Sequence, residues 1–528
     1  MAREAAFTAS SSSTAYSSPP QTMSSTVDTA SEQTPLLSSP ATHDDETVPT
    51  TETTDTAEVD LLARNKHIWR LCFTVFTLVQ AANVVLQAPL IQLKEDSVCM
   101  AEYGSSRSLG EDCKVQAVQD EVTTLTSWQQ LFDTAPGILF GVFYGMAADR
   151  YGRRPVLALA LAGIVLSAIW TQIVLFWPAV FPARLTWLSI VFQLVGGGNL
   201  VVNAMIFAIV SDVTPEEKRS SKFFRLYGVA LLSDMILSPA SDALTNIQPW
   251  WPARFGLIAF IMALLATWLV LPETLSMTEV VQSIRLEENE PEEEDDPVVY
   301  TDVQKSTIWR RVRKIMSSLQ DLRYLIASRQ LLLLVPLLSV GQLYDQSAEF
   351  FKNYISKRYG WRMSQASFWL TYRNVVNLIL LSTILPGISE ILLRRNFDAG
   401  RKDQWISRAS IVCLAVGAFI VGLAPILSIM VTGLTIFALG HGFVPAVLSL
   451  ATPFIEPGHI GMLYTAMTIG EAIGKLANEP VLVGAFELGM KVGGLLLGLP
   501  FVATGIMLTI AGVSVFGIRQ PLPATHLD

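Results

Sequence analysis

The sequence predicts an all-α membrane protein with twelve transmembrane helices in two pseudo-symmetric six-helix bundles. Three observations carry this. Hydrophobic residues make up 51% of the 528 and charged residues only 16%, whereas soluble domains carry about a quarter charged; mean hydropathy is +0.42. The apolar residues gather into runs near the roughly 20 residues that a helix needs to cross about 30 Å of hydrocarbon. The runs come as six, then a charged gap, then six more.

Residues 1–63 are rich in Ser, Thr, Pro and acids and read as a disordered cytoplasmic tail. Within it, Glu32-Gln-Thr-Pro-Leu36-Leu37 fits the acidic dileucine pattern E-x-x-x-L-L, which would recruit a sorting adaptor. A chance match in a low-complexity tail is the alternative. The N-terminal bundle, 64–272, has spans near 68–90, 123–145, 156–178, 186–210, 224–246 and 253–272. A charged cytoplasmic linker, 273–327, holds the acidic run 286–296 and the basic run Arg310-Arg-Val-Arg-Lys314. The C-terminal bundle, 328–518, has spans near 328–351, 364–387, 408–427, 430–452, 461–484 and 492–517. Residues 519–528 form a short cytoplasmic tail.

Lysine and arginine set the orientation, because they concentrate in cytoplasmic loops. Arg64, Lys66 and Arg70 flank helix 1; Arg150, Arg153 and Arg154 follow helix 2; Lys218, Arg219, Lys222 and Arg225 lie between helices 4 and 5. Both termini are therefore expected in the cytosol, for a multi-pass protein of the plasma membrane or a vacuolar or endosomal membrane. The expected partners are the lipid bilayer and a small-molecule substrate, and a monomer is expected. The net charge of −9 comes from acids in the soluble segments, and no basic domain points to nucleic acid. The four cysteines make no metal-ligand spacing. Cys72 and Cys413 lie in apolar spans, while Cys99 and Cys113 share the first outside loop, where a disulfide and two free thiols are both open readings.

Intramembrane charge marks a pathway, since a charge at mid-membrane costs at least roughly 2.5–3.5 kcal/mol on insertion scales and must face protein or water. The interiors of helices 3, 6, 9 and 12 carry none, with Arg254 and Arg408 only at span ends. The other helices hold Asp133, Asp234, Asp345, Glu349, Arg373, His441, Glu471, Lys475 and Glu479. Helices 1 and 4 add Gln80, Asn83 and Gln87, then Gln193, Asn199 and Asn203. The charge-free set reads as a lipid-facing layer around a polar cavity. Gln80, Asn83, Gln193, Asn199, Asn203, Arg373, His441 and Lys475 are the candidate substrate-cavity residues. A faint repeat pairs Leu226-Tyr227…Asp234 with Leu463-Tyr464…Glu471 and predicts that the two acids face each other.

Between helices 2 and 3 stands Gly145-Met-Ala-Ala-Asp149-Arg150-Tyr-Gly152-Arg153-Arg154. It is similar to the loop motif G-x-x-x-D-R-x-G-R-R of major facilitator superfamily transporters, complete and at the family's position. The resemblance implies two bundles with helices 3, 6, 9 and 12 outermost. It also implies that Asp149 meets the N-terminal end of helix 11 and that Arg153 pairs with Asp212. Gly145, Asp149, Arg150, Gly152, Arg153, Arg154 and Asp212 then form a conformational switch; the alternative is that the arginines only fix topology. Trp128-Gln-Gln-Leu-Phe-Asp133-Thr-Ala-Pro136-Gly137, Gln193-Leu-Val-Gly196-Gly-Gly-Asn199, Ser211-Asp212-Val-Thr-Pro-Glu-Glu-Lys-Arg219 and Leu271-Pro272-Glu273-Thr274 resemble fungal twelve-helix drug and metabolite exporters. Two departures stand out. Gln193 replaces the arginine of the exporters' R-x-x-x-G-x-G in helix 4. Asp234-Met-Ile-Leu-Ser238-Pro239-Ala-Ser-Asp242 keeps the proline of their helix 5 motif and loses its glycines. The second-half copy of the loop, near Arg394-Arg395-Asn-Phe-Asp398, is degenerate.

Energy coupling calls for a carboxylate that changes protonation during the cycle, which burial favours. Asp133, Asp234 and Glu471 are the candidates. Lys475 lies four residues from both Glu471 and Glu479, so a self-neutralised ladder is an alternative there. Asp345 and Glu349 form a candidate gate, within expected reach of Arg373. The leading function is a secondary transporter for proton-coupled efflux of a drug or secondary metabolite by alternating access. The alternatives are proton-coupled uptake of a nutrient or vitamin-like anion, or a non-transporting membrane sensor. No cofactor beyond a proton gradient, no metal and no enzymatic activity are expected: H-E-x-x-H, G-x-S-x-G and the phosphate-binding G-x-x-x-x-G-K-[ST] are all missing from the sequence.

Overall fold

A computed structural model describes residues 51–104, 112–275, 337–361, 363–455 and 457–517. The dileucine element at Glu32, Leu36 and Leu37, most of the linker and the C-terminal tail lie outside them. The chain is built from helices: α1 (Thr51–Tyr103), α2 (Gln116–Tyr151), α3 (Arg153–Phe176), α4 (Ala183–Val213), α5 (Glu216–Ile247), α6 (Trp250–Leu269), α7 (Leu343–Tyr359), α8 (Gln365–Arg394), α9 (Ala399–Leu423), α10 (Leu427–Phe454), α11 (Ile460–Val492) and α12 (Leu499–Gly517). Ten of these stretches are long and apolar enough to cross a membrane by length and composition alone. The two outside that set, α7 and α11, are heavily charged: α7 carries Asp345, Glu349, Lys352, Lys357 and Arg358, and α11 carries Glu471, Lys475, Glu479, Glu487 and Lys491.

Local chemistry explains the boundaries. Between α2 and α3 the backbone reverses at Gly152, whose φ of 103° suits glycine. Pro155 lies in the first turn of α3, where its missing N–H has no helical partner to lose. Helix α5 starts after Pro215 with Glu216 and Glu217 in its first turn, favourably placed on the helix dipole. Two central helices are broken by glycines at matching places. In α4 the break is Gly196-Gly197-Gly198, with positive φ at the last two; in α10 it is Gly440-His441-Gly442. Each follows a close crossing by a glycine of the preceding helix: a Cβ on Gly163 of α3 would meet Phe192 O at 2.8 Å, and one on Gly417 of α9 would meet the backbone of Phe437. The two halves thus repeat the same packing device.

The core runs through α4 and α10, where Val201–Val213 and Phe443–Ala451 are buried almost throughout. The outer layer is as expected from the charge pattern. Trp251, Phe255, Ile258, Met262, Leu265 and Trp268 form an exposed stripe on α6, and Ile506, Ile510, Val513 and Phe516 one on α12. Such stripes at helical spacing suit a lipid-facing surface.

Several expected boundaries need correction. Helix α1 begins at Thr51, twelve residues inside the segment read as a disordered tail, where acids spaced through 52–60 favour a helix start. It also continues past residue 90 through Lys94, Glu95 and Asp96. Helix α9 begins at Ala399 rather than 408, so Lys402 and Asp403 belong to an outer helix. Helix α11 runs on to Val492, and α12 starts only at Leu499 after a 3₁₀ turn, Gly494–Gly498. Each time, the helix outruns its apolar window, because backbone hydrogen bonding does not stop where the hydrocarbon does. At the end of the fold opposite the signature loop, Cys99 and Cys113 form a disulfide with Cα atoms 5.6 Å apart. Cys72 and Cys413 are free.

Candidate functional site: a latch and a polar cavity

The signature loop builds a contact between the two halves. The first turn of α11 leaves amide N–H groups without helical partners. Gly461 N donates to Asp149 Oδ1 at 2.6 Å and Met462 N to Asp149 Oδ2 at 2.8 Å. Both carboxylate oxygens are therefore engaged, one amide each. The approach depends on glycine: a Cβ on Gly145 would meet Gly461 O at 2.8 Å and Met462 Cα at 2.9 Å.

Arg153, fully buried, ties this contact into the N-terminal half. Its guanidinium lies 2.5 Å from Asp212 Oδ2, at the end of α4, and 3.6 Å from Asp149 Oδ1. Sequence reasoning did not assign a role to Glu273, although its motif was noted. Glu273 accepts Arg153 N at 2.9 Å and Arg154 N at 3.1 Å, and so neutralises the N-terminus of α3. Arg154 donates to Trp268 O, Arg150 lies over the Tyr151 ring, and Thr274 Oγ1 donates to Asp212 at 3.3 Å.

A second contact joins the halves at the same end. Lys402 of α9 is fully buried. Its ammonium donates to Glu217 O at 2.6 Å and Ser220 Oγ at 2.9 Å, both on α5. Asp403 lies beside it at 3.3 Å and accepts Ser449 Oγ of α10 at 2.6 Å. The degenerate second-half loop gave no signal for this, because the contact uses an ammonium on carbonyl and hydroxyl oxygens where the first half uses a carboxylate on amides.

The polar residues predicted for the cavity form two groups. In the N-terminal half, Gln193 Nε2 donates to Asp133 Oδ1 at 2.6 Å and to Ser167 Oγ at 3.1 Å. Gln129 Nε2 donates to the same Asp133 oxygen at 3.1 Å and to Ser189 Oγ at 2.7 Å. Asn199 Nδ2 reaches Asn83 Oδ1 at 3.4 Å, and Asn83 reaches Gln80 at 3.5 Å, linking α4 to α1. Asn203 is half-buried one turn further along α4.

The second group centres on Tyr344 of α7, which is buried, while Asp345 next to it is exposed. Arg373 sits with its guanidinium 4.6 Å from the Tyr344 ring centroid and donates to Tyr344 O at 3.4 Å. The His441 ring packs on the same Tyr344 ring, with centroids 4.6 Å apart. Tyr344 in turn is hydrogen-bonded to Asn377. Three expectations change here. Arg373 makes no ion pair with Asp345 or Glu349, because the Tyr344 ring and carbonyl hold it. Glu349 is exposed on α7. The Glu471–Lys475–Glu479 ladder does not form: Glu471 accepts Gln342 Nε2 at 3.4 Å, Glu479 accepts Gln346 Nε2 at 2.9 Å, and Lys475 is exposed. Asp234 and Glu471 make no direct contact. The tyrosines of the faint repeat do come together, with Tyr227 and Tyr464 packing on Phe207 at 5.9 and 6.2 Å.

Two helical halves closed at one end by charged contacts, with ionisable groups inside, define a secondary transporter. The chain belongs to the Major Facilitator Superfamily, whose profile matches residues 99–477. It is 30% identical over 447 residues to "Efflux pump ustT" of Aspergillus flavus, covering 83% of this chain and 85% of that protein. It is also 30% identical over 460 residues to "MFS efflux pump atnC" of Emericella nidulans, covering 84% and 86%. A shorter match, 26% over 151 residues, links 28% of this chain to 35% of "Tetracycline resistance protein, class E" of Escherichia coli. The fold is similar to the human organic anion transporter MFSD10 (TM-score 0.56, 16% identity, 85% of this chain and 99% of that one). It is also similar to a bacterial homologue of the iron transporter ferroportin in an outward-facing state (TM-score 0.57, 12% identity, 86% and 98%).

Proposed function

We propose that the protein exports a small organic molecule, of the drug or secondary-metabolite class, by alternating access driven by inward proton flow. The observation that carries this is Asp149 accepting two of the free amides at the start of α11: a charged latch that joins the two halves at one end. The relatives named efflux pumps favour export over uptake. In this reading the latched end is cytoplasmic, both termini are cytosolic, and the chain works as a monomer in the plasma membrane or a vacuolar or endosomal membrane. The signature-loop residues with Asp212 act as the switch between two bundles, 64–272 and 328–518. Asp234 and Glu471 are the principal protonation sites.

The test is flux in liposomes under an imposed pH gradient, with tetracycline and a panel of fungal metabolites as trial substrates. Flux of a panel member should rise with the gradient in the parent. Asp234→Asn or Glu471→Gln should lose that response while keeping substrate exchange at equal pH. Flux of an accepted substrate that is equal with and without the gradient would sink proton coupling. A response retained in both variants would move the site elsewhere.

A further inference from the structure

Arg373 of α8 is a buried cation with no acid of its own. The buried cations where the halves meet are paired: Arg153 lies 2.5 Å from Asp212, and Lys402 lies 3.3 Å from Asp403. Arg373 is 7% exposed and makes no ion pair with any described residue. What holds it is neutral. Its guanidinium lies over the Tyr344 ring, Nη1 donates to Tyr344 O at 3.4 Å, and Nη2 donates to Asn374 Oδ1 at 3.4 Å. Nε is buried and has no hydrogen-bond partner among the described residues. Nε and Nη2 share one edge of the planar guanidinium, and the two parallel N–H groups of such an edge match a carboxylate. Only one long contact, to the side chain of the next residue, occupies that edge. An unpaired buried donor is costly, and neither Tyr344 nor Asn374 brings a charge to offset it. The position of Arg373 points to what completes it. Arg373, Asn377 and Leu380 recur at i, i+4 and i+7 and share one face of α8. At Leu380 and Leu381 the helix packs on Phe224 of α5, in the other half, and a Cβ on Gly228 of α5 would lie 3.7 Å from Leu381 Cβ. Arg373 stands two turns further from the latch on that face, and Asp234 of α5, past the same seam, is exposed.

We propose that the transported molecule carries a carboxylate and that Arg373 binds it through Nε and Nη2 as a bidentate pair; this rests on the export reading above and names a substrate class for it. The Asn374 amide gives up its long bond as the carboxylate arrives. Nη1 stays on Tyr344 O, and the Tyr344 ring, whose hydroxyl is hydrogen-bonded to Asn377, keeps the guanidinium plane fixed. The fork is therefore oriented before the ligand comes, so little side-chain freedom is lost on binding. A permanent acid partner within the protein would compete with the substrate. Without one, the compensating charge is left to the molecule being carried. The same cation selects against neutral and basic molecules, which would leave it buried and unpaired.

The test is equilibrium binding to the full-length protein in lipid nanodiscs at about pH 7, where carboxylic acids are ionised. The probes are a panel of aromatic and aliphatic carboxylic acids, each paired with its primary amide, which has the same shape and no charge. In the parent, acids that bind should do so roughly 10- to 100-fold more tightly than their amides, the range of one charge-assisted hydrogen bond. Arg373→Met should abolish that preference and leave amide binding unchanged. Arg373→Lys should recover only part of it, because an ammonium has the charge without the fork. Asn374→Ala, at a half-buried position, should tighten the acids by clearing the edge and leave the amides as they were. That variant keeps the proposal falsifiable if Arg373→Met fails to fold. A panel in which no acid outbinds its amide, a preference that survives Arg373→Met, or one that does not rise in Asn374→Ala overturns the proposal. Liposome flux separates it from the export reading. Flux of an accepted acid that ignores the pH gradient while the acid preference stands would sink proton-driven export and leave Arg373 as the anion site. Gradient-driven flux of a neutral panel member with no acid preference would sink the anion site alone.

Discussion

Replacing Asp149 by asparagine should unlatch the signature-loop end. The carboxylate accepts Gly461 N at 2.6 Å on one oxygen and Met462 N at 2.8 Å on the other. Asparagine is the same size but has one acceptor oxygen, and its NH₂ would face the second amide donor to donor. One charge-assisted bond is lost, worth about 1.5–3 kcal/mol, and one N–H of α11 is left unsatisfied. Arg153 also loses one of its two acidic neighbours, although Asp212 remains. Together these weaken the latched state by about 2–4 kcal/mol. At about 1.4 kcal/mol per factor of ten, the latched-to-open ratio falls by roughly 30- to 1,000-fold. The assay is the distance between spin labels on Glu216 and Arg401, which are exposed on opposite halves beside the Lys402 contact, with Cys72 and Cys413 replaced by serine. The parent should give a single short distance and Asp149→Asn a second, longer population. Lys402→Met added to it should make the longer population dominant. Distributions identical to the parent in both variants would refute the latch.

Other outcomes follow from the same geometry. Gly145→Val should fold and reach the membrane but fail to latch, since its Cβ would sit 2.8 Å from Gly461 O; the same spin-label pair reads this. Lys402→Met alone should reduce transport severalfold, because Glu217 O and Ser220 lose their shared donor. Reducing the Cys99–Cys113 disulfide, which closes a short loop of separation 14, should cost about 3 kcal/mol on the chain-entropy scale and lower the melting temperature in detergent. Leu36→Ala with Leu37→Ala should move a tagged protein from internal membranes towards the cell surface, and unchanged localisation by microscopy would leave the dileucine match as chance.

Much of the latch was legible because the loop motif resembles the family's, and that resemblance implies both the Asp149–α11 contact and the Arg153–Asp212 pair. The ten-residue motif places Asp149 and Arg153 four residues apart across a glycine turn, and the acid that Arg153 needs stands at the end of the next helix, α4. The interior was less legible. Asp133 is legible as a mid-span acid, but the stretch of α1 that continues past the apolar window through Lys94, Glu95 and Asp96 is not. Hydropathy loses a helix where its residues turn polar, although the hydrogen-bond ladder continues. Gln193 was read as a lost arginine, whereas its amide is committed to Asp133. The expected pairs of Arg373 and Lys475 failed for a different reason. Sequence spacing places charges on a shared face but does not count competitors, and the Tyr344 ring and two glutamines, Gln342 and Gln346, took those positions. The Lys402 contact was invisible to motif reasoning, because the two halves close the same end with opposite charges.

The crossing of α2 and α11 has a kinetic consequence. Where Gly145 meets Gly461 the two backbones come close, with the Thr465 hydroxyl of α11 against Gly145 and the Ile469 side chain against Gly141. Surfaces that interlock through large side chains must change rotamers before they part, and each such step adds friction to the motion. A face lined by glycines offers few side chains that must turn before the helices part. Asp149 adds two hydrogen bonds from one side chain at that crossing. The joint is thus built like a bearing with a catch, and its opening can be tuned at the catch without reshaping the helices that move.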